Sequence, residues 1–174
     1  IHSSDRFDLL GNCLAVLTGI ANRNKALALV NWVEETCATL RSQKKLVLNL
    51  PPNLFPYILK GDTDWHERYE TYNRPGEYHN GGIWPFICGF YVAALIALEQ
   101  YDAAQENLEY LTDIVTLSTR QSLAFGFNEW ISAKDGIPKG ADWQTWSAAM
   151  YLYAADCVRN KKTPVFDTIR GAMW

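Results

Sequence analysis

"EYHNGGIWPFICGFYVAALIALEQ", residues 77–100, decides the fold of this chain. From Pro85 onward the stretch carries no charge until Glu99 and is apolar or small at nearly every position, as a helix enclosed by other helices must be. Proline suits the first helical turn, where a backbone N–H has no partner to lose. Ahead of it, a carboxylate, a phenol, an imidazole, an amide and an indole crowd around Gly81 and Gly82. A buried helix therefore starts from a loop loaded with hydrogen-bonding and stacking groups, a pattern that predicts an all-α protein with a binding site at helix N-termini.

The same helical period recurs at about residues 7–21, 24–41, 102–118 and 143–158, with the central helix at about 84–99. The segments alternate in character. "FDLLGNCLAVLTGIA", "PFICGFYVAALIAL" and "TWSAAMYLYAADCV" are apolar or small all round and read as inner helices. Those between them carry one apolar stripe, Leu27, Val30, Val33, Cys37 and Leu40 in the first and Leu108, Leu111 and Val115 in the second, and read as outer helices. Connections from inner to outer are short turns near Asn22 and Tyr101, so the pairs form αα-hairpins. Connections from outer to inner, about 42–83 and 119–142, are long and rich in Gly, Pro, Trp and Tyr, as functional loops in compact domains are. Such hairpins build a double ring of helices, an (α/α)6 toroid, of which a chain this long supplies about half. "KLVLNL", residues 45–50, is the one candidate strand. Asp8 is expected to cap the first helix and Asp142 the last inner helix.

Length and composition set the class. The chain has 174 residues, 48% of them hydrophobic, enough for one domain with a sizeable core. A net charge of −3, from 16 basic and 19 acidic residues with no basic run, excludes nucleic acid and anionic membrane as partners. Cys13, Cys37, Cys88 and Cys157 lie far apart without CxxC spacing, so buried reduced thiols and a cytoplasmic location are expected. No apolar run reaches bilayer length and no signal-peptide pattern opens the chain, so a soluble protein is expected. The start at Ile1, just ahead of a helix, suggests a piece of something longer. Asp62, Asp64, His66, Glu67 and Glu70 lack the ordered spacing and constrained glycine of a hard-cation loop; no metal and no cofactor is expected.

Two loops carry the candidate chemistry. In the first, Tyr78 and Trp84 offer faces that stack on a sugar ring, and Glu77, His79 and Asn80 offer hydrogen bonds to hydroxyl groups, while the paired glycines allow a ligand close to backbone N–H groups. The competing reading of His79 and Asn80 is that they hold their own loop together. The second loop, "FGFNEWISAKDGIPKGADWQTWSAAM", sets Glu129 beside Trp130, and a carboxylate next to indole rings is suited to proton transfer, the competing reading being a plain surface acid. Gln144 reads either as a helix-terminal group or as a ligand contact, and Trp146 adds a further stacking face.

"DRFDLLGNCLAVLTGIA", "EYHNGGIWPFICGFYVAAL" and "FNEW…GADWQTWSAAMYLYA" together resemble the C-terminal half of the alkaline/neutral invertase and bacterial amylo-α-1,6-glucosidase group of glycoside hydrolases, whose catalytic domains are (α/α)6 barrels. The resemblance runs from about Asp5 to Cys157 and is most specific at "YHNGG-WP". It implies an inverting mechanism with two carboxylic acids about 6.5–9.5 Å apart. It places the general base at Glu129, and the sugar of the −1 subsite against Glu77, Tyr78, His79, Asn80 and Trp84; Trp130, Gln144 and Trp146 stay candidate substrate contacts on the residue reading alone. The general acid, an aspartate in such enzymes, falls upstream of "RFDLLGN", where no residue of this chain matches it. Hence the expected partners are the N-terminal half of the barrel, in this or a separate chain, a small sugar or oligosaccharide, and a second copy of the chain. Near the base, "FNEWISAKDG" lies closer to the debranching side than to the invertase pattern "EWPEYYD", so sucrose and an α-1,6-glucoside both stay open. A non-catalytic sugar-binding or structural fragment is the alternative, and an inverting phosphorylase a third reading for which no phosphate site is evident.

Overall fold

A computed structural model describes residues 4–120 and 123–171; Ile1 and two residues of the second long connection lie outside them. The fold is all-α. In chain order, α1 is Leu9–Leu17, α2 Arg23–Ser42, α3 Pro85–Ala97, α4 Tyr101–Thr116, α5 Thr145–Asn160 and α6 Phe166–Arg170. The first five lie where the period places them, within a few residues at each end. Their starts follow from local chemistry. The Asp8 carboxylate accepts from the Leu10 N–H at 3.1 Å and caps α1, as expected. Asn22 does the same for α2, accepting from the Lys25 N–H at 3.0 Å, and Pro85 opens α3.

Helix α3 is the centre of the packing, between α1 on one side and α5 on the other, with α4 behind both α3 and α5. Eleven of its thirteen residues are buried, and each fully buried Leu or Val there contributes about 2 kcal/mol. At Gly89 a β-carbon would lie 2.7 Å from the Met150 carbonyl oxygen, so α3 and α5 approach backbone to backbone. Helix α2 turns Val30, Val33, Cys37 and Leu40 into the core and joins α3 through the Tyr91 hydroxyl, which donates to the Glu34 carboxylate at 2.5 Å. Inner helices α1, α3 and α5 thus stand in a row with α2 and α4 outside, an arc of a double ring. All four thiols are free and buried, and burial pushes Cys157 up to about 11 and Cys37 up to about 12.

Three expectations need correction. Helix α5 is not enclosed: Leu152 is 66% and Trp146 47% exposed, because among the described residues α5 packs mainly toward α3 and α4, with Tyr153 turned to α6 through Phe166. Residues 45–50 form no strand; Leu46 and Leu50 are buried pegs and the segment bonds outward through the Val47 N–H to the Ala133 carbonyl at 2.8 Å. The strands that do form are two residues each: β1 (Phe7–Asp8) pairs with β2 (Leu54–Phe55), and β3 (Trp130–Ile131) with β4 (Pro138–Lys139), both antiparallel. Third, a sixth helix follows the five expected: α6 carries too short a pattern to predict, yet it crosses the inner row. Phe166 sits against Phe90 and Tyr153, and the Arg170 guanidinium donates to the Leu17 carbonyl at the end of α1 at 3.1 Å. No described helix is long and apolar enough to cross a membrane.

Candidate active site

The first long loop is held from inside by Asn80. Its side-chain oxygen accepts from the Ile58 N–H at 2.7 Å, and its amide donates to the carbonyls of Ile58 at 2.9 Å and Asn73 at 3.0 Å. Asn80 is fully buried and spends its side chain on the loop's own backbone, the competing reading of this residue. The glycines are corrected. Gly81 has φ +99°, and a β-carbon there would lie 2.2 Å from the Tyr57 ring; at Gly82 it would lie 2.6 Å from the Tyr78 carbonyl oxygen and 3.2 Å from the Trp130 ring. Their N–H groups donate to the Asn53 side chain and to the Tyr78 carbonyl, at 3.1 and 3.0 Å. Both glycines therefore serve close packing rather than a ligand's approach.

With the backbone turned this way, the aromatic groups stack on one another. Trp84 is 5% exposed and donates its indole N–H to the Tyr78 carbonyl at 3.0 Å, so it forms a floor rather than an open sugar platform. The His79 ring lies over it, 5.0 Å between centroids and 7° from parallel, with Tyr78 4.0 Å away. Burial in this stack pulls the His79 imidazole below its ordinary value, and the nearby Glu129 charge offsets part of that pull.

The second loop folds back as a small hairpin around Asp135-Gly136, a turn that the Asp135 carboxylate closes by accepting from the Ile137 N–H at 3.0 Å. Its strand β3 also bonds to the first loop, since Ile83 and Ile131 form an antiparallel bridge. Glu129, just before β3, is clamped to residue 141: its N–H donates to the Ala141 carbonyl at 3.0 Å, and the Ala141 N–H donates to Glu129 Oε2 at 3.3 Å. Gly140, at φ +70°, leaves the room this carboxylate takes, for a β-carbon there would lie 2.4 Å from Oε2.

The result is one cavity of about 620 Å³ lined by Glu77, Tyr78, Glu129 and Trp130, four of the nine expected residues. His79 faces an adjoining recess that shares Tyr78. Gln144 and Trp146 do not line the cavity. The chain reverses at Trp143, φ +60°, and Gln144 spends its N–H on the Phe127 carbonyl at 3.0 Å as α5 begins. Nor does Asp142 cap α5; its carboxylate turns to residues 118, 119 and 128. Asn73, Arg74 and Lys139 line the same cavity and were not foreseen. Their signals were the Pro75-Gly76 turn after Arg74 and the hairpin whose second arm carries Lys139. Among the described residues no group of His, Cys, Asp and Glu is placed to hold a metal, and Asp62 and Asp64 pair instead with Arg6, at 2.6 and 3.5 Å.

The arrangement offers a fixed carboxylate, a second carboxylate and two aromatic faces around a space of the size that small-molecule sites have. A family model described as alkaline and neutral invertase matches residues 2–161. Among similar curated proteins, probable alkaline/neutral invertase A, chloroplastic, of Arabidopsis thaliana is 26% identical over 164 residues, covering 91% of this chain and 24% of its own length. Cytosolic invertase 1 of Oryza sativa subsp. japonica is 28% identical over 152 residues, covering 86% and 25%. Alkaline/neutral invertase C, mitochondrial, of Arabidopsis thaliana is 26% identical over 157 residues, covering 88% and 22%. The chain thus spans about a quarter of the length of the curated relatives it matches.

Proposed function

Since this chain belongs to the alkaline and neutral invertase family of glycoside hydrolases, we propose that it supplies the water-activating side of an active site that hydrolyses sucrose with inversion. The observation that carries the proposal is the clamped Glu129 carboxylate in one cavity with Tyr78 and Trp130. In this reading Glu129 is the general base. It takes a proton from a water as that water attacks the anomeric carbon of the glucosyl unit, on the face away from the leaving fructosyl oxygen. The C1–O bond to fructose breaks, a bond from C1 to the water oxygen forms, and β-glucose and fructose leave. The proton required by the leaving oxygen comes from a carboxylic acid in polypeptide outside these 174 residues, together with the helices that complete the barrel.

Sucrose is favoured over an α-1,6-glucoside by the relatives, which are named invertases; both present an α-glucosyl unit to the same residues. The relatives' names place them in chloroplast, cytosol and mitochondrion, so the cytoplasm is proposed here on the four buried free thiols alone. The test is sucrose hydrolysis by the full-length protein with Glu129→Gln. Turnover is expected to fall by about 10²–10⁴-fold with sucrose binding kept, and NMR of the parent's first product to show β-glucose. Full turnover by the variant would remove Glu129 from the role, and a parent that binds sucrose without cleaving it would leave the non-catalytic reading in its place.

A further inference from the structure

We propose that Asp142 is a positioning residue for Glu129, fixing the place of its carboxylate from the C-terminal end of α4; the inference rests on the reading of Glu129 as general base. The Asp142 carboxylate lies outside the cavity lining and gathers four donors. Its Oδ1 accepts from the Thr119 N–H at 3.0 Å and from the Asn128 amide at 2.5 Å, and its Oδ2 from the Thr119 hydroxyl at 2.6 Å and the Ser118 hydroxyl at 3.1 Å. Two of the groups it controls flank Glu129. Asn128 is the preceding residue, and Ala141, which holds Glu129 through both its N–H and its carbonyl, directly precedes Asp142.

Asn128 shows why the carboxylate matters more than an ordinary loop acid. The Asn128 side chain is fully buried and its Oδ1 has no hydrogen-bond partner among the described residues, so its orientation depends on the one bond its amide donates to Asp142. A bond to an ionised acceptor is about twice as strong as a neutral one. Its backbone carbonyl is taken by the Ser147 hydroxyl from the first turn of α5, at 3.0 Å. Residues 126–129 and 141–144 also run as a backbone ladder, with the Trp143 N–H on the Gly126 carbonyl at 2.6 Å and the Gln144 N–H on Phe127 at 3.0 Å. Asp142 ties this ladder to Ser118 and Thr119, just past the end of α4. Burial pushes its carboxyl upward, but the bonds from Thr119 and Ser118 outweigh that and hold it below the usual carboxylate range, so the anchor stays ionised at neutral pH. The position of Glu129 is thereby referred to α4, a helix that itself stays outside the cavity.

The test is made on the full-length protein with α-glucosyl fluoride, whose leaving fluoride asks little of a general acid and so reports on the base. Asp142→Ala is expected to lower kcat by about 10–100-fold, the scale of a displacement near 1 Å, with KM within about twofold and thermal unfolding still cooperative. In the Glu129→Gln background the same change is expected to cost nothing further, because a residue that acts through Glu129 has nothing left to position. If Asp142→Ala does not fold, Thr119→Val removes one donor and is expected to lower kcat by about 3–10-fold with the same non-additivity. A kcat within twofold of the parent, or an equal proportional loss in both backgrounds, would overturn the proposal. The Glu129→Gln protein measured alone separates the two readings. If it turns over like the parent, the base assignment and this inference fall together; if it is inactive while Asp142→Ala matches the parent, only this inference falls.

Discussion

Ile83 and Ile131 exchange both backbone hydrogen bonds, the Ile83 N–H donating to the Ile131 carbonyl at 2.9 Å and the Ile131 N–H to the Ile83 carbonyl at 2.7 Å. Both are fully buried, and through them two loops that precede different inner helices become one rim, with Tyr78 and Trp130 5.9 Å apart.

That juncture has no spare space. Gly82→Ala would set a β-carbon 2.6 and 2.7 Å from the Tyr78 backbone, which cannot yield without unmaking the bridge next door. A loss of about 3 kcal/mol is expected in urea unfolding. A change under about 0.5 kcal/mol, the range of an ordinary surface substitution, would show that the rim is not packed this tightly.

Gly140→Ala acts on chemistry more than on folding. The residue is exposed, so its left-handed backbone costs an alanine only about 1–2 kcal/mol. The new β-carbon, however, falls on the Glu129 carboxylate, and turnover is expected to drop about 10²-fold. Kinetics and thermal unfolding on the same preparation check the contrast; a stable, fully active variant would mean that Glu129 tolerates displacement.

Asn80→Ala strips three bonds from half-buried backbone and leaves both polar groups of Ile58 and the Asn73 carbonyl without that partner. About 3 kcal/mol of stability is expected to go. Denaturant titration measures it, and a loss confined to sugar affinity with unfolding unchanged would return Asn80 to the role of ligand contact.

His79 is expected to titrate below about 6.5, the ordinary histidine value, when followed by NMR. Glu129→Gln removes the charge that holds it up and is expected to lower it again; no movement would place the two side chains further apart than they stand here. The sign for stability follows. Above the unfolded value both states carry neutral imidazole. As pH falls through about 6.5 the unfolded chain takes the proton more readily, so stability declines until the folded value is passed. Replacing His79 by Gln is expected to flatten that part of the thermal-unfolding profile.

The helices were legible because period and burial agree: Val30, Val33, Cys37 and Leu40 recur as one face of α2 and are buried as one face. Helix α6 was not legible, since five residues hold barely more than one turn of pattern and its main anchor, Arg170, reaches a carbonyl on α1 that no local signal predicts. At the site, the density of functional groups around Glu77 and Glu129 was readable, but direction was not. A glycine pair announces close approach without saying whether a ligand, Tyr57 or Trp130 is approaching. Asp142 shows the same limit. "DWQT" before a helix reads as a cap, but a left-handed Trp143 turns the carboxylate away from α5 and toward α4.

The cavity's walls differ in how they are held. The wall bearing Glu129 is tied into the helical core through Ile83, Ala141 and Ser147. The opposite wall, leading to Asn73 and Arg74, is a stretch with largely internal bonds, such as Trp65 to Asp62 and Tyr69 to His66, stapled to the rest by the side chain of Asn80 and by the pairing of Asp62 and Asp64 with Arg6. In evolutionary terms the pocket is modular. Sequence drift or exchange between residues 59 and 73 can reshape what the cavity admits while Asn80, Asp62 and Asp64 are kept, whereas the wall bearing Glu129 is bound to the core and changes only at the cost of the fold.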